Sequence, residues 1–489
     1  MRTASDMNNK RFPSTILVAF LALFLLFGQT SAFAQTVEPQ REQLLNGLRI
    51  LLVTRPGDQN VLLKLRVHSG SAFDMAGKNG TMSLLADSLF PDPVTFDYFK
   101  EEINGRLEVD ADQDAIDITL QGRAAEYDRI VDTLRAALVM TPLSPENVNK
   151  VRDARIKKLA EHKPSASELA DLRIAERLFG NFPYANDPNG TAESLGRIDR
   201  ADLLLARDRF LSPNNSTLVI IGGVDHNKAM RALRQLLGGW RKAEEVVPSS
   251  FRQPTAPDSR TLIANQPDSQ TSELRLAVRG LARGDRDYAA ASVLAKVVRE
   301  RWQKLVANGK VSVRHEAHTL PGIFVMGASV ENTAVAKALE SGREVLKALV
   351  ASPVLPEEID RAKRDYLASR EKMTADDLLA NAWLDTEAYS LPPVNDQLRA
   401  WNNLSAADLQ RVAIRLFKNA TVASVAVGNA DNLRAQLPAA NSEVLGEAQL
   451  KPVDPKPGQT AEQPIKHKPF VFTPKPSPLL KSQKPKPQP

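Results

Sequence analysis

Pro56, Leu63, Leu65 and Val67 return as Pro267, Leu274, Leu276 and Val278, each 211 residues later. Pro145, Glu146 and Val148 return as Pro356, Glu357 and Ile359 at the same offset. Further on, Ala201-Asp202-Leu203 returns as Ala407-Asp408-Leu409, and Gly222 and Asp225 as Gly428 and Asp431, at an offset of 206. Any one match is within reach of chance. A run of near-constant offsets in chain order points to one module of roughly 200 residues written twice. The join is legible as well: residues 246–260 hold Pro248, Pro254 and Pro257 with Ser249, Ser250 and Ser259, the composition of an exposed linker. The body therefore divides into 35–245 and 261–441, followed by a tail from 442 to 489.

Within each copy the pattern is mixed. Arg49–Thr54 and 61–68 are leucine-rich, β-branched runs broken by Pro56-Gly57, which reads as an antiparallel hairpin. Residues 114–121 alternate apolar and polar, with Ile116, Ile118 and Leu120 on one face. Residues 127–140 space Ile130, Val131, Leu134 and Leu138 at helical intervals. Pro145–Glu161 opens with Ser144 as cap and proline in the first turn of a helix. Ser216–Gly222 reads as a buried strand ending in a glycine turn. Strands and helices without strict β-α-β alternation argue for an α+β class.

The ends differ from the body. Residues 1–34 carry Arg2, Lys10 and Arg11, an apolar run from 16 to 27, and Ala32-Phe33-Ala34, the pattern of an export signal cleaved near Ala34. The run is too short for a spanning helix, which needs about 20 apolar residues. A periplasmic or secreted mature chain is expected. It has no cysteine, so export brings no disulfides. Residues 451–489 hold eight lysines, two acids and 11 of the 32 prolines, a disordered, polyproline-rich composition. That tail accounts for +6 and the leader for +2, leaving the body at −2 although the whole chain is +6. Nucleic acid is not indicated as a partner. The basic tail is either a solvated extension or an arm for an anionic envelope surface.

One stretch carries a chemical signature. Gly70-Ser71-Ala72-Phe73-Asp74, then Gly80-Thr81-Met82-Ser83-Leu84-Leu85-Ala86-Asp87-Ser88-Leu89-Phe90, resembles the active-site segment of the pitrilysin/insulinase (inverzincin) zinc metallopeptidases. That family reads Gly-Ser-x-x-Glu, then Gly-x-x-His-x-x-Glu-His-x-x-Phe. Ser83 stands at the first histidine, Ala86 at the catalytic glutamate and Asp87 at the second histidine. The resemblance continues through Asn46-Gly47-Leu48-Arg49, Phe179-Gly180, Pro183-Tyr184, Gly190-Thr191-Ala192-Glu193-Ser194-Leu195, Pro213-Asn214-Asn215 and Gly222-Gly223-Val224-Asp225, and into the second half at Gln270-Thr271-Ser272-Glu273 and Arg279-Gly280-Leu281. It implies two α+β halves facing each other as a clamshell across a peptide-holding cavity.

The resemblance also places a distal zinc-binding glutamate on the Pro145–Glu161 helix. Ungapped comparison puts Lys158 there, and a one-turn shift offers Glu161. Serine, alanine and lysine do not make a zinc site, so no cofactor and no catalytic residue are expected, although zinc is the family's metal. Asp87 and Lys158 either form an ion pair in the space zinc would fill or both face solvent. The family's substrate-holding arginine and tyrosine fall on Glu300 and Val313, with Arg301 available after a one-residue shift. His315 and His318 lie three apart in an apparent strand, pointing to opposite faces. The implied function is an exported non-catalytic homologue, like the inactive member of processing-peptidase pairs, that binds extended peptide and joins a zinc-bearing paralogue as a hetero-oligomer. A free-standing envelope scaffold and a peptidase with rearranged ligands are the alternatives.

Overall fold

The computed structural model describes residues 37–446 apart from 141–142, 307 and 370–372. The expected export signal at 1–34 and residues 447–489 of the expected tail lie outside the described residues.

Two six-stranded sheets organise the chain. The first is built from β1 (Gln40–Gln43), β2 (Arg49–Thr54), β3 (Asn60–Val67), β4 (Arg106–Ala111), β5 (Ile116–Arg123) and β6 (Ser216–Gly222), in the order β1-β2-β6-β3-β5-β4. The second holds β7 (Thr261–Asn265), β8 (Thr271–Arg279), β9 (Lys310–Glu316), β10 (Ile323–Glu331), β11 (Ala423–Gly428) and β12 (Ser442–Val444), in the order β12-β7-β11-β8-β10-β9. The inner pairings agree in direction: β2 runs parallel to β6 and β7 to β11, and the rest are antiparallel. Only the first edges differ, since β1 is antiparallel to β2 and β12 parallel to β7. Two half-modules of one topology thus stand where the sequence repeat sets them.

The first half carries α1 (Thr81–Ser88), α2 (Pro93–Glu101), α3 (Tyr127–Leu138), α4 (Pro145–Glu161), α5 (Ala166–Phe179), α6 (Ala192–Gly196), α7 (Arg200–Phe210) and α8 (His226–Leu237). The second carries α9 (Tyr288–Leu305), α10 (Val335–Ala351), α11 (Pro356–Ala368), α12 (Ala375–Ala388), α13 (Val394–Asn402), α14 (Ala406–Phe417) and α15 (Ala430–Gln436). Ser144 caps α4 by accepting from the Asn147 N–H at 3.1 Å, with Pro145 in the first turn as expected.

Three expectations need correction. Strands β2 and β3 are not a hairpin, because β6 lies between them. All seven residues of β6 are buried, and a fully buried strand needs a hydrogen-bonded neighbour on each side. The tail does not begin at 442, since Ser442–Val444 is the outer strand β12. The space between the halves is filled rather than hollow. Helix α5 of the first half lies across β8 and β11 of the second, and α12 of the second lies across β3 and β6 of the first.

This exchange is driven by apolar burial. Ala170, Ile174 and Leu178 of α5 pack with Ala277, Val325 and Val425 of the second sheet. Ala380, Trp383 and Leu384 of α12 pack with Leu51, Leu62, Val219 and Ile221 of the first. Each sheet thereby covers its second face with a helix borrowed from the other half. Each borrowed helix also offers an aspartate to arginines. Asp171 of α5 accepts from Arg275 at 2.6 Å and Arg314 at 3.2 Å. Asp385 of α12 accepts from Arg66 at 2.7 Å and Arg283 at 2.9 Å. The linker is pinned too: Phe251 packs on Phe73 with ring centroids 5.6 Å apart.

Candidate functional site

Helix α1 is held by its entry. The Asp74 carboxylate accepts the N–H of Gly80 at 2.6 Å and of Met82 at 2.9 Å, satisfying donors that a helix start leaves unpaired. Burial pushes the Asp74 carboxyl up to about 7, against those two backbone hydrogen bonds. Gly80 has a φ of 94°, and a Cβ there would lie 2.9 Å from the Asn189 carbonyl oxygen. Gly190, at φ 73°, would put a Cβ 2.4 Å from the Asn79 oxygen. Two glycines thus let the 79–80 and 189–190 backbones touch. Lys78 adds a clamp to Asp202 of α7 at 2.6 Å.

The degenerate motif sits on this fixed helix. Ser83 is 2% exposed, and its Oγ donates to the Pro188 carbonyl at 2.6 Å. Ala86, also 2% exposed, belongs to the first half's main core. Asp87 reaches α4, but its partner is Arg155. Arg155 Nη2 also donates to Asn189 Oδ1 at 2.7 Å, and its Nε to the Asn189 carbonyl at 3.3 Å. Of the two readings for Asp87 and Lys158, the mutual pair does not form: Asp87 meets Arg155, one turn earlier on the same helix, and Lys158 faces solvent. Lys158 is exposed on the groove wall with no ion-pair partner among the described residues. Glu161 is exposed and lies 3.8 Å from Lys157, so it does not serve as a second carboxylate beside Asp87.

Zinc requires donors free to converge on one point. Here the hydroxyl is spent on a carbonyl, a methyl replaces the base, and the carboxylate is held by a guanidinium. The residues present do not fit the metal. Among the described residues, no group of three or more histidines and carboxylates is placed to hold an ion.

Between α1, α2, α4 and β4 a groove of about 760 Å³ remains open. Its floor is apolar: Phe90 and Phe96 meet edge to face with centroids 6.3 Å apart, beside Val109, Val151 and Leu159. All of its lining residues belong to the first half. The cavity therefore lies within one half and not between the two.

A cavity of about 660 Å³ lined by Arg279, Leu281, Pro321 and Arg415 opens in the second half, but none of Glu300, Arg301 and Val313 lines it. Arg301, expected to touch substrate, is bidentate to Glu358 of α11 at 2.9 and 2.7 Å. Glu300 takes Arg361 at 3.1 Å and Arg299 takes Asp365 at 2.6 Å. Three ion pairs lace α9 to α11, and Val313 is buried in the adjoining core. The two histidines do not converge: His315 Nε2 accepts the Leu281 N–H at 3.0 Å, whereas His318 Nδ1 lies 3.3 Å from Asp114 of the first half. Asp114 also accepts Tyr184 Oη–H at 2.9 Å and the Thr319 N–H at 2.8 Å. Sequence reading missed this cross-half cluster, because nothing local to residue 114 signals a partner 200 positions away.

Residues 197–366 match the family described as Peptidase M16 inactive domain. The chain is a pitrilysin/insulinase-family homologue. The homologue is 22% identical over 231 residues to the human "Cytochrome b-c1 complex subunit 1, mitochondrial", covering 45% of this chain and 48% of that one. It is 25% identical over 131 residues to the "Non-peptidase homolog YmxG" of Helicobacter pylori, covering 27% and 30%. The matched stretches thus span about half or less of these curated relatives. A solved peptidase M16 inactive domain from Pseudomonas fluorescens superposes with a TM-score of 0.71 at 19% identity, over 80% of this chain and 98% of that one. That likeness fixes the fold. The α+β class with two half-modules holds.

Proposed function

We propose that this homologue is an exported, non-catalytic protein that holds extended peptide in the first-half groove and completes a zinc-bearing relative. One observation carries the reading: the motif helix and the groove beside it are kept, while each zinc position on that helix is committed to another contact. Strand β4 supports the peptide part. It is the outer strand of the first sheet and runs along the groove at Val109, so a peptide has a free backbone edge to pair with. The names of relatives, one a non-peptidase homologue and one a subunit of a larger complex, support absence of catalysis and a life in an assembly. The leader read at 1–34 supports export. No cofactor is assigned.

The test is purification of the native mature chain with whatever accompanies it. A co-purifying relative bearing an intact His-x-x-Glu-His sequence, and peptide cleavage that needs both chains, supports the proposal. A strictly monomeric protein in native extract refutes the pairing and leaves the envelope scaffold as the reading.

A further inference from the structure

The groove has a sign. On its α4 wall, Lys150 and Lys158 have no ion-pair partner among the described residues, and Arg155 stands between them with Asp87 already on it. The acids on the lining are Asp87, which is so engaged, and Asp97. An aromatic and aliphatic floor is thus overlooked by two free ammonium groups.

Strand β4 gives this charge a register. Side chains alternate across a strand. Val109 faces the groove, so Leu107 and Ala111 share its side, and Arg106, Glu108 and Asp110 take the other. That other side is anchored by Arg106 to Asp377 of α12 at 2.6 Å, with Glu108 and Asp110 exposed beyond it. A peptide added along the free edge sends every second side chain toward apolar rings and lysines. The intervening side chains face Glu108 and Asp110.

We infer that the groove selects extended peptides whose groove-facing positions, two residues apart, are apolar and acidic, with basic or neutral residues between them. This rests on the peptide-holding reading and adds the class of ligand to it. Opposite charges attract and like charges repel, across the strand pair at Glu108 and Asp110 and from the α4 wall at Lys150 and Lys158. The chain's own residues 451–489 carry eight lysines and two acids and so have the wrong net sign for the lysine wall.

The test uses three labelled decapeptides with the same apolar residues and with glutamate, glutamine or lysine at the remaining groove-facing positions. Binding to the mature full-length protein is read by fluorescence polarisation at low and moderate salt. The glutamate peptide is expected to bind about tenfold tighter than the lysine peptide, with the gap narrowing as salt rises. In the Lys150→Glu/Lys158→Glu double variant, both changes lying on the exposed face of α4, the order is expected to invert. Equal affinities for all three peptides, a preference for lysine, or an order unchanged in the double variant would overturn the selection while leaving peptide holding intact. No binding by any of the three would overturn peptide holding itself.

Discussion

At the scale of single residues, the site is defined by what has been spent. Asp87 is 38% exposed on its side chain and Arg155 14%, so their pair lies between the surface and buried cases. Replacing Asp87 with alanine is expected to cost about 1–2 kcal/mol, read as a fall in melting temperature. Arg155→Ala should add little once Asp87 is gone, which a double-mutant cycle reports. Restoring the motif by Ser83→His, Ala86→Glu and Asp87→His is expected to give neither stoichiometric zinc nor cleavage, because Arg155 and Lys158 stay on the facing helix and no distal glutamate is supplied. Metal analysis and a peptide assay check this. The sequence made it legible that positions 83 and 87 lack the two histidines and position 86 the catalytic glutamate of the resembled motif. It did not say which cation of α4 would meet Asp87, because Arg155 and Lys158 share one helix face and the axial offset between α1 and α4 is a tertiary quantity. Pro188 and Asn189, which hold Ser83 and Arg155, come from a loop about 100 residues downstream of α1, and no local pattern announces such a contact.

At the scale of elements, helices that stop and start within local sequence were legible, and pairings that cross the chain were not. Helix α4 begins and ends where Ser144, Pro145 and its charged face place it. The hairpin misreading arose because Pro56-Gly57 does turn the chain, yet a turn does not specify that its two strands pair. The insertion of β6 between them is decided by burial on both sides. The exchange of α5 and α12 had no local signal either, since an amphipathic helix does not reveal which sheet it covers. Its energetics are testable: Trp383, 1% exposed, spans α12 and the first sheet. Trp383→Ala should cost about 3–5 kcal/mol, and its effect should appear in the unfolding of both halves together. The Asp114–His318 contact between halves gives a pH signature. Burial alone would lower the His318 imidazole, but the hydrogen bond and charge of Asp114 outweigh it and raise it, with Asp112 and Glu316 adding in the same direction. A raised folded value means that this stabilisation is fully present below about 6.5, the free-histidine value, and is lost as pH rises through the raised value. The melting-temperature gap between wild type and His318→Gln is therefore expected to be largest in mildly acid solution and to shrink on the alkaline side. The buried His68 acts in the opposite sense. Burial, with Arg49 and Arg66 nearby, drives it down to about 3, so its contribution is lost as pH falls below about 6.5, and the wild-type profile should fall on both sides.

At the scale of the whole molecule, two half-modules of matching inner topology exchange helices to form one interlocked body among the described residues, with an open groove beside α1. The α+β class was readable because it is a pattern of composition and period. The groove beside α1 was not legible, because the sequence does not show which faces the borrowed helices cover. Cleavage within residues 246–260 should leave the two halves eluting together, since α5 and α12 each remain seated on the other half's sheet. Separation of the fragments without denaturant would contradict the interlocked arrangement. The central claim is that a peptidase scaffold has kept its groove and given up its metal. The most direct measurement supplies the purified mature chain with zinc, then determines bound metal and follows unstructured peptides by mass spectrometry with and without chelator. The expected result is far less than one zinc per chain and intact peptide in both conditions. One zinc per chain together with chelator-sensitive cleavage would contradict the account.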